Sequence, residues 1–147
     1  MIVGQNNDSR LAQQYYQDGE FEKAAVLYDK LFQQNNRNDY YFNRFMDCLL
    51  ALEDFKRAEK AIKKQLKKNP KKVQLYVTYG NLYERQYKPE EAKKQYDKAI
   101  KKLPAERFSV TRLANAFLGL TKYDLAIQAY EKLIPIIISE LEPDKKQ

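Results

Sequence analysis

The chain has 147 residues, 44% hydrophobic and 32% charged, with no histidine, one cysteine, four glycines and five prolines. That composition excludes a disordered chain and argues against a turn-rich all-β fold. It also removes histidine-based catalysis, an internal disulfide and any cysteine cage for a metal. The net charge of +7 is concentrated, since residues 39–72 hold ten basic against five acidic groups while residues 1–38 hold four against five.

No apolar run approaches the ~18 residues that a membrane span needs. The first residues, Met1-Ile2-Val3-Gly4-Gln5-Asn6-Asn7, lack the basic and apolar regions of a secretory signal. The compartment therefore stays open, with the cytoplasm as the default expectation and the periplasm as the alternative if a signal has been removed.

A period comes before any single element. Ala24, Ala58, Ala92 and Ala126 stand 34 residues apart, and other registers keep step with them. The first unit, residues 5–38, sets Leu11, Ala12 and Tyr15 on one helical face. After a turn near residue 19, Phe21, Ala24 and Tyr28 line a second helix. The second unit, 39–72, repeats this with Phe45 and Leu49, a turn near 53, then Phe55, Ala58 and Ile62, closed by Pro70. In the third, 73–106, Tyr76, Tyr79, Gly80 and Tyr83 follow the i, i+3, i+4, i+7 spacing of a helix face. Its turn is Gln86-Tyr87-Lys88, and Pro89 sits where proline is tolerated, in a first helical turn. Pro104 closes it. The fourth, 107–140, has Leu113, Ala114 and Phe117, a turn near 121, then Tyr123, Ala126 and Tyr130. Small residues at Ala12, Gly80 and Ala114 are expected to let each pair of helices approach closely. Cys48 falls among the packing residues and is expected to be an inert buried thiol.

These registers resemble the tetratricopeptide repeat (TPR) family: an aromatic, a leucine, a small residue and a tyrosine on the first helix, then alanine, aromatic, alanine and proline. The third unit fits best, through Tyr76, Tyr79, Gly80, Tyr83, Ala92, Tyr96, Ala99 and Pro104. Departures fall at Asp8, Asn36, Met46, Gln65, Val110 and Ile138. The resemblance implies one all-α domain over residues 1–147, a right-handed α-solenoid of four helix-turn-helix hairpins. The apolar run Ile134-Pro135-Ile136-Ile137-Ile138 is expected to add a short C-terminal capping helix, or else an end through which the chain self-associates.

In this family the first helices line a groove and the second helices cover the back. Carried onto this sequence, the groove residues are Arg10, Gln13, Tyr16, Tyr40, Asn43, Arg44, Asp47, Asn81, Arg85, Phe108, Thr111, Arg112 and Asn115. Gln13, Asp47, Asn81 and Asn115 recur at one register, a ladder of side chains able to bond an extended peptide backbone. Arg10, Arg44 and Arg112 recur at another, and guanidinium forks favour carboxylates, hence a partner with acidic character. On the opposite face Lys60, Lys63, Lys64, Lys67 and Lys68 form a basic convex patch.

The function expected is a non-catalytic scaffold that binds a peptide or protein segment in its groove. Two alternatives stand beside it: the basic face binds nucleic acid or an anionic membrane surface, or the chain is a repeat-bearing piece of a larger assembly protein. Nucleic acid is disfavoured because no base-reading motif accompanies the lysines. Neither a cofactor nor a metal is expected, and no residue is assigned a catalytic role.

Overall fold

The computed structural model describes residues 2–142, with side chains from residue 7 onward. Among the described residues there are nine helices and no strand. They are α1 (Ile2–Gln17), α2 (Phe21–Gln34), α3 (Asp39–Ala51), α4 (Phe55–Lys68), α5 (Gln74–Arg85), α6 (Pro89–Lys102), α7 (Arg107–Gly119), α8 (Tyr123–Glu131) and α9 (Ile134–Leu141). The chain is an all-α helical-repeat protein, as the period implies. It divides into two compact units, Met1–Lys60 and Ala61–Gln147, with the boundary inside α4.

The hairpin turns repeat as strictly as the alanines. Gly19, Glu53, Tyr87 and Thr121 all have positive φ, at 74°, 55°, 58° and 57°. At each, the residue after the turn donates its N–H to the carbonyl five residues back: Glu20 to Tyr15, Asp54 to Leu49, Lys88 to Tyr83 and Lys122 to Phe117. The left-handed residue itself donates to the carbonyl three residues back, so the orphan carbonyls of every first helix are satisfied by the same reversal. Only the first turn uses glycine. The other three place a side chain in a conformation that glycine adopts at no steric cost.

In the first unit α1 packs on α2 and α2 on α3. Ala12, Ala24, Ala25, Tyr28, Leu31 and Phe32 are buried, and the aromatic rings interlock, with Phe32 and Phe42 at 5.2 Å and Tyr28 and Tyr41 at 6.4 Å. Cys48 is fully buried as expected, and burial, with Asp47's charge beside it, pushes its thiol pKa up to about 11.

In the second unit α5 pairs with α6 and α7 with α8, while α5 also touches α7 and α6 touches α8. The first helices thus form one layer and the second helices another. One core runs through both hairpins, from Val73 and Val77 through Ala92, Tyr96 and Ala99 to Val110, Leu113, Phe117, Ala126 and Leu133. At its centre the Tyr96 ring lies on Gly80. A β-carbon built on Gly80 would fall 2.3 Å from the ring. The small residue in α5 is therefore occupied by an aromatic of α6, four residues beyond the alanine that marks the period. Phe117 meets the same Tyr96 ring edge-on at 5.8 Å.

The last repeat departs from the others. The other second helices run 14 residues, whereas α8 has 9. Pro135 is the cause: it has no N–H to give the Glu131 carbonyl four residues back, and its ring crowds that carbonyl. The chain resumes as α9, tied to the core by Leu133 and partly by Ile136. None of the residues of α9 itself is buried.

Two substitutions separate these packing and backbone effects. Gly80→Ala replaces glycine inside a helix, which by propensity alone would stabilise by about 1 kcal/mol. The buried Tyr96 ring cannot step aside, so the net result should be destabilisation by about 1–3 kcal/mol in urea unfolding. Thr121→Gly should act the other way, raising stability by about 0.5–1 kcal/mol and the melting temperature by about 2 °C, because it relieves a β-branched residue at positive φ.

Candidate functional site

The first helices carry the candidate binding residues, and each unit presents its own set. In the first unit α1 supplies Arg10, Gln13 and Tyr16, and α3 supplies Tyr40, Asn43, Arg44 and Asp47. Asn38 caps α3 by accepting the Tyr40 N–H at 3.0 Å, which fixes where Tyr40 leaves the helix. Arg10, Gln13, Asn43 and Asp47 are exposed, and Tyr40 is 47% exposed.

Arg44 organises this surface. Its guanidinium carbon lies 4.6 Å from the Tyr16 ring centroid and 5.4 Å from that of Tyr40, so a residue from each helix flanks it. Tyr28 from α2 closes the floor, edge-on to Tyr16 at 6.5 Å and to Tyr40 at 6.3 Å. Asp47, one turn along α3, approaches the guanidinium at 3.6 Å. A hydrogen bond with Tyr40 raises the Arg44 pKa further, and burial raises that of Tyr28, so the cation and the phenol beneath it both keep their protons. Partial burial lifts the Asp47 carboxyl above its ordinary value while Arg44 pulls it down. A half-exposed ion pair of this length contributes little, so an incoming carboxylate can take Asp47's place on the guanidinium.

The second unit offers a more open set. Arg85, Phe108, Thr111, Arg112 and Asn115 are exposed and Asn81 is half-buried. Phe108 is 69% exposed, with the Arg112 guanidinium 5.3 Å from its ring, an aromatic–cation pair built within one turn of α7. On α5 the rings of Tyr79 and Tyr83 stack at 4.9 Å, and the Tyr83 hydroxyl donates to that of Tyr79 at 3.3 Å.

A pair that the pattern did not single out lies beside them. Lys122, at the α7–α8 turn, reaches Glu84 of α5 at 2.5 Å and sits 5.7 Å from the Tyr96 ring. Burial, then Glu84's charge, raises the Tyr96 phenol pKa. This partly buried contact joins α5, α6 and the last hairpin. Its sequence signal is weak, because the two residues are 38 apart rather than at the repeat period.

Lys60, Lys63, Lys64, Lys67 and Lys68 are all exposed on α4, whose only acid is Glu59. On α6, Asp97 pairs with Lys93 at 2.6 Å, one turn back, rather than with Lys101 one turn forward. Among the described residues no group of histidine, cysteine or carboxylate side chains could hold a metal ion. No described helix is long and apolar enough to cross a membrane.

Comparison with known proteins refines the family. A crystal structure of MamA is similar over 97% of this chain and 81% of its own, with 16% sequence identity and a TM-score of 0.50. MamA from Desulfovibrio magneticus RS-1 matches over 92% of this chain and 76% of its own, at 16% identity and a TM-score of 0.49. At this identity the likeness concerns the fold alone. No curated protein matches the sequence. The PRP39 N-terminal HAT repeat family matches residues 5–143, which span all four hairpins. The tetratricopeptide resemblance therefore holds at the level of a helical repeat close to that family. The chain belongs to the PRP39 N-terminal HAT repeat family.

Proposed function

We propose that the protein is a non-catalytic interaction scaffold whose first-helix faces hold a peptide or protein segment with acidic character. Helical-repeat proteins of this kind generally mediate protein–protein interactions, which supports the class of function. The observation that carries the finer reading is Arg44, held between Tyr16 and Tyr40 with a 3.6 Å contact to Asp47 as its carboxylate partner. The flanking rings restrict the side chain and lower the entropy lost on binding, and a guanidinium suits a carboxylate. Gln13 and Asn43 flank it as amides suited to main-chain groups. In the second unit Asn81, Asn115 and Arg112 beside Phe108 supply the same chemistry, with Arg85 and Thr111 at the margin.

The exposed lysines of α4 favour a second reading, in which an anionic polymer or membrane surface is bound by charge. That mode would weaken steeply with salt, because each phosphate contact releases counterions.

Affinity capture from the source cells, with mass-spectrometric identification, distinguishes the two. Losing a bidentate arginine contact costs about 1.5–3 kcal/mol, roughly ten- to a hundredfold in affinity. Arg44→Ala/Asn81→Ala should therefore abolish capture of the partner while leaving the melting temperature nearly unchanged. Replacing Lys63, Lys64, Lys67 and Lys68 by glutamine should leave the partner bound. The opposite pattern would place the partner on the lysine face.

A further inference from the structure

The second helix of each earlier repeat buries an apolar register that the last repeat leaves bare. Tyr28, Ile62 and Tyr96, 34 residues apart, are 1%, 0% and 4% exposed, whereas Tyr130 in the same register is 41% exposed. Within the second unit the reason is visible, since Phe117 of α7 meets the Tyr96 ring and α8 packs beside α6. Among the described residues no further helix does the same for α8.

The bare surface is also continuous. Tyr123, Ile127, Tyr130, Ile134, Ile138 and Leu141 recur at intervals of three or four, and they are 62%, 56%, 41%, 50%, 51% and 76% exposed. Pro135 interrupts the helix between them without turning the chain, because Lys132 and Leu133 both stay in the right-handed helical region. Their N–H groups bond back to Ala129 and Tyr130, so the stripe continues from α8 into α9. Arg107 at the start of α7 holds α9 through Glu140 at 2.5 Å. The exposed stripe is apolar and has helical period.

Two further observations bear on its occupant. The first is charge. Residues 122–142 carry two lysines, Lys122 and Lys132, against four acids, Asp124, Glu131, Glu140 and Glu142, in a chain whose net charge is +7. The stripe is thus flanked by a stretch with an acidic excess in a basic protein. The second is the chain's own opposite end. There the outward register, from α1 into the turn after it, reads Asn7, Leu11, Gln14 and Asp18, and Gln14 donates to Asp18 at 3.0 Å. Such a polar face is not the complement of six large apolar residues. A second copy stacking head to tail is disfavoured for that reason, and two copies meeting through this same stripe would set acid against acid.

We propose that the α8–α9 stripe is a docking surface for a basic amphipathic helix of a partner protein, which lies where the first helix of a further repeat would lie. Its apolar residues at i, i+4, i+7 and i+11 seat between Tyr123 and Leu141, and lysines or arginines on its flanks meet the acids. The site is separate from the first-helix faces, so two partners can be held at once.

The probe is a synthetic, dye-labelled peptide of about 18 residues, some five helical turns, with leucines at that spacing and lysines beside them. Two controls accompany it: the same peptide with every lysine replaced by glutamate, and one of the same composition scrambled out of helical period. Anisotropy titration at physiological salt should show saturable binding of the lysine peptide, and binding about tenfold weaker or more for both controls. Ile127→Ser/Ile138→Ser, both exposed, should weaken the lysine peptide by a similar factor without lowering the melting temperature. Equal binding of the scrambled peptide, or full affinity in the double variant, would overturn the proposal. So would light scattering that shows a peptide-free dimer which the double variant abolishes, since the occupant would then be a second copy.

Discussion

A tyrosine ring packed against a glycine sets the geometry of the second unit. With Gly80 beneath Tyr96, α5 and α6 approach closely enough for Ala92 and Ala99 to pack fully, at 1% and 0% exposure. The same ring also meets Phe117, so one aromatic closes its own hairpin and contacts the next. Packed interiors tolerate little change in volume, and such a contact fixes both the spacing of a pair and the register of its neighbour. Everything on the first-helix face follows from that registration. Asn81 is adjacent to Gly80, and Phe108, Arg112 and Asn115 ride on the helix that Tyr96 positions. In the first unit Tyr28 has the corresponding place and serves as the floor beneath Tyr16, Tyr40 and Arg44.

The period was legible because burial repeats every 34 residues, and burial selects residue type: Ala24, Ala58, Ala92 and Ala126 are at most 2% exposed. The turns were legible in place but not in conformation. Glycine at residue 19 announces a left-handed turn, whereas Glu53, Tyr87 and Thr121 adopt the same φ with no local propensity for it. There the hairpin's closing hydrogen bonds override residue preference. A backbone solution shared by all four hairpins leaves no signature in side-chain type.

The candidate site was half legible. Which residues face outward on the first helices followed from position, and the exposure of Gln13, Asn43, Arg112 and Asn115 agrees with it. How they are held did not follow. The enclosure of Arg44 by Tyr16 and Tyr40 depends on the angle between α1 and α3, which no spacing encodes, and the Lys122–Glu84 contact falls outside the repeat period. The C-terminal end shows the complementary case. An apolar run of isoleucines reads as a helix seeking cover, and it is one, yet Pro135 shortens α8 and leaves the run mostly uncovered. Sequence pattern registers that a surface is apolar. Only the packing shows that nothing within the described residues claims it.

The dependence on close helix approach is tested most directly by urea unfolding of Ala24→Leu, Ala92→Leu and Ala126→Leu, with Ala51→Leu at the exposed end of α3 as the reference. Each of the first three should lose about 1–3 kcal/mol of unfolding free energy, because the paired helices leave no room for the added carbons. Ala51→Leu should stay within about 0.5 kcal/mol of the parent chain. Parent-like stability in all three buried variants would contradict the account.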